Sequence, residues 1–160
     1  MIRNEKTACI KFHYLTPFFS FRYRTVVKRC LVTLFRKEKI RFKIIDYIFC
    51  QDDYLLEINK TFLNHNDLTD IITFDLSADR KEVWGEIYIS IERVRENAGI
   101  FKTSFRVELT RVIFHGALHL CGYSDQTPEA KSLMRLKEDQ YIELLKGEVN
   151  LFHVEQKNKA

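Results

Sequence analysis

The stretch Asp70-Ile-Ile-Thr-Phe-Asp-Leu-Ser-Ala-Asp-Arg-Lys-Glu-Val-Trp-Gly-Glu-Ile-Tyr-Ile-Ser90 decides the fold. Asp70–Leu76 reads as a short strand, Ser77–Lys81 as a turn, and Val83–Ser90, with its Trp-Gly-Glu-Ile-Tyr-Ile core, as a second strand. A strand pair joined by a short polar turn, set among helical patterns on both sides, favours α+β: a small mixed β-sheet with helices packed against it.

Upstream of the pair, residues 64–69 form a polar loop, preceded by a helix that starts at Asp52 or Asp53 and buries Leu55, Leu56, Ile58 and Phe62. Residues 40–50 alternate at first and then turn almost continuously apolar, as a strand does on entering a sheet interior. From Phe21 to Lys37, apolar residues recur in steps of three and four, which predicts an amphipathic helix with a basic outer face. Residues 8–15 alternate by twos and read as a strand, broken by Pro17. Downstream, Ser90 caps a helix from Ile91 that Gly99 ends, and Ser104 caps a longer one running to about Cys121. Leu109, Val112, Ile113, Gly116 and Leu120 form its core stripe, with Gly116 expected to pack closely on another backbone. Thr127-Pro128-Glu129 is a helix start, and that last helix is expected to run to about Lys146 with a frayed tail after it.

The chain has 160 residues, enough to bury a core in one domain, and no repeat or boundary divides 1–160. The four cysteines, Cys9, Cys30, Cys50 and Cys121, form no C-x2-C pair, so they read as free thiols. With no signal peptide and no 18-residue apolar run, the expectation is a soluble cytoplasmic protein with no membrane partner. Charge is uneven. Residues 1–43 hold 12 Lys/Arg against Glu5 and Glu38, whereas the remainder holds 14 against 20 acids. The dense part includes Arg22, Arg24, Lys28, Arg29 and Arg36, which either meet phosphates or form a solvated helix face.

The chemistry concentrates at His115-Gly-Ala-Leu-His-Leu-Cys-Gly-Tyr-Ser-Asp125. His115 and His119 are one helical turn apart on one face, and Gly122 allows a left-handed turn that swings Asp125 back toward them. Two His and one carboxylate are a zinc ligand set that leaves a fourth position open. The histidine spacing is also that of metzincin proteases, but their base glutamate is replaced here by Gly116. A metal here can act as Lewis acid on a phosphoryl oxygen and bring the pKa of a bound water toward about 7, which suits phosphodiester hydrolysis. Glu108, Arg111 and Glu86 are the remaining candidates near the chemistry. Spacing places neither acid, and Glu108 beside Arg111 also reads as a solvated helix acid.

Three stretches, in order, resemble the YbeY family of bacterial rRNA maturation factors. His115–Tyr123 is similar to its signature H-G-x-L-H-L-x-G-Y-D-H. Asn59 and Phe62 followed by Thr69-Asp-Ile-Ile-Thr-Phe74 resemble L-N-x-x-Y and T-[DN]-V-L-S-F. Gly85-Glu-Ile-Tyr-Ile-Ser90 resembles G-D-I-x-I-S. The match covers roughly 45–146. The resemblance implies about four strands in the sheet and a single-strand-specific, metal-dependent endoribonuclease acting in 16S rRNA 3′-end maturation and ribosome quality control. Its partners would be single-stranded rRNA and the ribosome or its proteins. The metal would be held by His115, His119 and Asp125: Zn2+, or a harder ion such as Mn2+ since Asp125 stands where the family has its third histidine. Ser124 stands at the family's aspartate, Leu63 at an arginine and Leu68 at a proline. Either His65, Arg111 or the basic helix takes over the arginine's phosphate contact or catalysis is weaker, and Tyr123, Trp84 or Phe74 can stack bases. The rival readings are a non-catalytic ribosome-assembly factor with a structural metal and a different metallohydrolase, such as a peptidase.

Overall fold

The computed structural model describes residues 8–17, 19–79 and 81–158, with side chains through residue 149; Arg80, inside the 77–81 turn, lies outside the described residues. In chain order these form β1 (Cys9–Tyr14), α1 (Arg24–Lys37), β2 (Phe42–Cys50), α2 (Asp52–Leu63) and β3 (Ile71–Asp75). Then come β4 (Val83–Ser90), α3 (Ile91–Ile100), α4 (Phe105–Leu120) and α5 (Pro128–Asn158). The four strands make one mixed sheet in the order β1-β2-β4-β3. The 70–90 pair is antiparallel, with Ile71 opposite Ile89 and Asp75 opposite Gly85, while β2 runs parallel to both β1 and β4.

Strand alternation assigns the two faces. Gly85, Ile87 and Ile89 of β4 are buried on the face that carries α4, together with Ile45, Tyr47 and Phe49 of β2 and the apolar stripes of α1 and α5. On the other face α2 covers a smaller cluster of Cys50, Leu55 and Ile72, flanked by Ile58, Phe74 and Tyr88. Helix α4 lies close to the sheet because it has no side chain at Gly116. A Cβ there would be 2.8 Å from Ile87 Cγ2 and 3.0 Å from Ile71 Cδ1. The close neighbours are thus strand side chains rather than the backbone expected. The fully buried Tyr47 fixes the same helix by donating its hydroxyl to the Ile113 carbonyl at 2.9 Å.

The predicted caps form. Ser90 Oγ accepts from Arg93 N, Ser104 Oγ from Val107 N and Thr127 Oγ1 from Ala130 N. At α2 the cap is Gln51, which frees the Asp52 carboxylate to accept from Ser90 Oγ and pair with Arg93. Two helix limits differ from the sequence reading. Helix α1 begins at Arg24 rather than Phe21, because Phe21 is buried against Phe12 and Phe49 as part of the approach to the helix. Helix α5 does not fray after Lys146 but continues to Asn158. Its stripe persists through Ile142, Leu145 and Val149, all buried, and Glu148 lies 3.9 Å from Arg29 of α1. Among the described residues no helix is long and apolar enough to cross a membrane.

Candidate metal centre

Helix α4 stops where its sequence predicts, and the way it stops builds the site. Tyr123 N donates to the Leu118 carbonyl at 3.0 Å and Gly122 N to the His119 carbonyl at 2.9 Å. These paired bonds, with Gly122 at φ +98°, form a Schellman turn, a conformation that favours glycine. The reversal brings the Tyr123 carbonyl over His119 Nδ1 at 2.9 Å and returns Asp125 to the histidines. His115 Nε2 and His119 Nε2 are 2.9 Å apart, and Asp125 Oδ2 lies 3.6 Å from the first and 3.7 Å from the second. Two donor atoms bound to one zinc at about 2.0–2.1 Å with a tetrahedral angle are about 3.4 Å apart. The triangle therefore has the size of such a ligand set.

The hydrogen bonds behind the imidazoles explain why a cation belongs there. A carbonyl oxygen only accepts, so His119 Nδ1 carries that ring's proton and His119 Nε2 is a lone pair. His115 Nδ1 faces Glu138 Oε1 at 2.7 Å in the same sense. With the Nδ1 of each ring turned to an acceptor, the two Nε2 atoms and a carboxylate oxygen converge on one point. Glu138 is nearly buried and is itself held by Arg111 at 3.1 Å, whose guanidinium also pairs with Asp139 at 2.8 Å. A carboxylate behind a metal-facing histidine orients the ring and raises its basicity. The two rings differ accordingly. Burial depresses His115, but the Glu138 hydrogen bond, with the charges of Glu138, Asp125 and Asp70, carries its pKa above the ordinary value. Burial and then the neighbouring His115 hold His119 below it.

The three residues border a cleft of about 660 Å³ between α4, strand β3 and the loop after α2. Asn59 anchors that loop: its Nδ2 donates to the Asp67 carbonyl at 2.8 Å and its own carbonyl accepts from His65 N at 3.2 Å. Among the described residues the lining includes Asp67, Asp70, Asp75 and Asp125 but no lysine or arginine. His65 and Leu63 line it, whereas Arg111 does not. Arg111 and Glu108 instead border a smaller cavity that reaches the site through His115 and Asp125.

Glu108 is not the solvated helix acid that its spacing also allowed. It is 5% exposed, and burial foremost raises its pKa. Glu86 lies on the sheet face away from α4, where it accepts from the Tyr88 hydroxyl at 2.7 Å. Cys121 stays outside the donor cluster as a free thiol, pushed up to about 12, first by burial and then by Glu38. The aromatic candidates separate too. Trp84 is exposed, Tyr123 bonds to Glu38, and Phe74 packs edge-on against Phe62 and Tyr88. Arg22, Arg24, Arg29 and Arg36 are exposed, while Lys28 lies over the Phe12 ring. Of these, Arg24, Lys28, Arg29 and Arg36 lie on α1, and none of the five borders the cleft. Sequence reading missed Glu138, though a signal was present: it interrupts the buried stripe of Met134, Tyr141, Ile142 and Leu145 with an acid.

The family model described as Endoribonuclease YbeY matches residues 13–146. A protein named Endoribonuclease YbeY from Flavobacterium psychrophilum is 55% identical over 112 residues, covering 70% of this chain and 74% of that one. One of the same name from Flavobacterium johnsoniae is 43% identical over 147 residues, covering 92% and 99%. The solution structure of TM1509 from Thermotoga maritima superposes with a TM-score of 0.63 at 28% identity, covering 89% of this chain and 92% of that one.

Proposed function

The chain belongs to the endoribonuclease YbeY family, and on that premise we propose that it is a metal-dependent endoribonuclease that cuts single-stranded RNA during ribosomal RNA maturation. The observation that carries the reading is the convergence of His115 Nε2, His119 Nε2 and Asp125 Oδ2, which all lie within 4.8 Å of one another. A divalent ion bound there, Zn2+ or a harder ion such as Mn2+, supplies Lewis acidity toward a phosphoryl oxygen and makes water a better nucleophile near neutral pH.

The surrounding residues take distinct parts. Glu138, braced by Arg111, holds His115 in its ligating tautomer, so Arg111 serves as a positioning residue rather than a phosphate contact. Glu108 retains its proton to higher pH than an ordinary carboxylic acid and borders the same cavity as His115, which suits it to proton transfer. Among the described residues that line the cleft outside the donor cluster, His65 is the one with a ring N–H to offer a phosphate. Arg22, Arg24, Lys28, Arg29 and Arg36 form a separate surface for the flanking RNA backbone. The peptidase rival loses ground at Gly116, where Ile87 and Ile71 fill the space that a base's side chain needs. The binding-factor rival draws support from the absence of lysine and arginine among the described residues that line the cleft.

The test compares the wild type, His115→Ala and Asp125→Ala on a labelled single-stranded rRNA 3′ fragment, with metal content determined on the same samples. Joint loss of metal and cleavage in both variants supports the assignment. Equal cutting by all three overturns it. A wild type that holds metal and does not cut favours the assembly factor, and digestion of casein favours the peptidase.

A further inference from the structure

Between residues 22 and 43 the chain has nine cations and one acid, Glu38. Glu38 caps the C-terminus of α1, and its side chain turns inward, away from the basic face. It is a point of convergence: Tyr123 Oη donates to Oε2 at 2.7 Å, Lys137 Nζ to Oε1 at 2.8 Å, and Tyr141 Oη to Oε1 at 2.6 Å. Lys137 and Tyr141 both lie on α5, but Tyr123 lies between the second histidine and the aspartate of the donor cluster. Tyr123 is thereby held at three points. Its N–H closes the Schellman turn, its carbonyl accepts from His119 Nδ1, and its hydroxyl ends on Glu38.

We propose that Glu38 is a positioning residue of the metal centre: by anchoring the Tyr123 hydroxyl it fixes the carbonyl that orients His119 and the turn that presents Asp125. The inference rests on the proposed metal site but concerns a residue 81 positions from His119 that touches none of the three ligands. The ring of Tyr123 is the lever. One end is held by the carboxylate that follows α1, and the backbone at the other end sets both the tautomer and the aim of an imidazole. Partners of this kind behind a ligand shift metal affinity by about 10–100-fold.

The experiment uses Co2+ as the probe on the full chain. Wild type, Glu38→Ala, Tyr123→Phe, Lys137→Met and Tyr141→Phe are titrated with Co2+ against a chelator, and the visible absorption of the bound ion is recorded. In parallel, solvent exchange of the His119 Nδ1 proton is followed by NMR in the metal-free protein. Tyr141→Phe removes a bond from the same carboxylate without touching the turn, so it reports what general loosening does, whereas Lys137 Nζ also lies 5.3 Å from the centroid of the Tyr123 ring. The expected result is affinity about tenfold or more weaker in Glu38→Ala and Tyr123→Phe, with an altered cobalt spectrum and faster Nδ1 exchange. Tyr141→Phe should stay within about twofold of wild type, with Lys137→Met falling between it and Tyr123→Phe. Wild-type affinity, spectrum and exchange in Tyr123→Phe overturn the inference, and that variant serves even if Glu38→Ala does not fold. Equal losses in all four variants also overturn it, because the cluster is then only structural. A wild type that takes up no cobalt overturns the metal reading. The Nδ1 exchange rates then decide separately whether Glu38 orients His119.

Discussion

Glu138 shows most directly how a single side chain sets the chemistry of another. Its one oxygen faces His115 and its other faces Arg111, so replacing it with an amide disturbs both partners at nearly unchanged size. Glu138→Gln is expected to weaken metal binding by about 10–100-fold, as isothermal titration with Zn2+ would show, while Arg111 keeps its pair with Asp139. The ligands themselves were legible in the sequence, because helical periodicity and a glycine turn act over eleven residues of chain. Glu138 and Glu38 were harder to read. They reach the site from 23 residues after His115 and 85 before Tyr123, and only packing brings them there. Each nevertheless left a local anomaly: an acid in an apolar stripe, and an acid in a basic run.

At the scale of elements, the same substitution has opposite signs in two helices. Gly116→Ala adds a methyl where Ile87 and Ile71 stand at 2.8 and 3.0 Å, so the helix must lift from the sheet. Overpacking of this kind costs about 1–3 kcal/mol, more than the roughly 1 kcal/mol that alanine gains over glycine in a helix. In Gly147→Ala nothing lies within 4 Å of the new Cβ, and only the gain remains, about 1 kcal/mol. Urea denaturation of the two variants should therefore move the midpoint down for Gly116→Ala and up for Gly147→Ala. Strands, helix caps and the hairpin were readable because each is a local rule. The two misplaced limits reflect tertiary contacts: Phe21 is drawn into the core ahead of α1, and Val149 and Glu148 sustain α5 beyond Lys146.

Across the whole molecule, charge is sorted into an acidic cleft, a basic outer helix and one nearly buried carboxylate tying α1 to α5. Burial works against the charge on Glu38, yet hydrogen bonds from Lys137, Tyr141 and Tyr123 hold its pKa below the usual value. A carboxylate depressed on folding contributes stability that is complete above its unfolded pKa, about 4.3, and is lost as pH falls through the lower folded value. Melting curves should show the stability gap between wild type and Glu38→Gln narrowing as pH drops from about 5.5 toward 3. The basic surface makes a separate prediction. Each phosphate contact with a single strand contributes about 0.7 to the slope of log K against log salt. Replacing Arg22, Arg24 and Arg36 by glutamine should flatten that slope for RNA binding by up to about 2, measured by fluorescence anisotropy.

The bond from Tyr47 to the Ile113 carbonyl also has a consequence in time. It joins the centre of the sheet to α4 two residues before His115, so that stretch of helix can swing away only if a fully buried hydroxyl loses its partner. The opposite wall of the cleft, residues 61–68, is exposed throughout and anchored through Asn59. Amide protons of Ile113–Ala117 should therefore exchange with deuterium only on global opening, and those of 61–68 orders of magnitude sooner. One wall of the cleft then keeps its shape for as long as the protein stays folded, while the other adjusts many times in that interval to whatever strand lies between them.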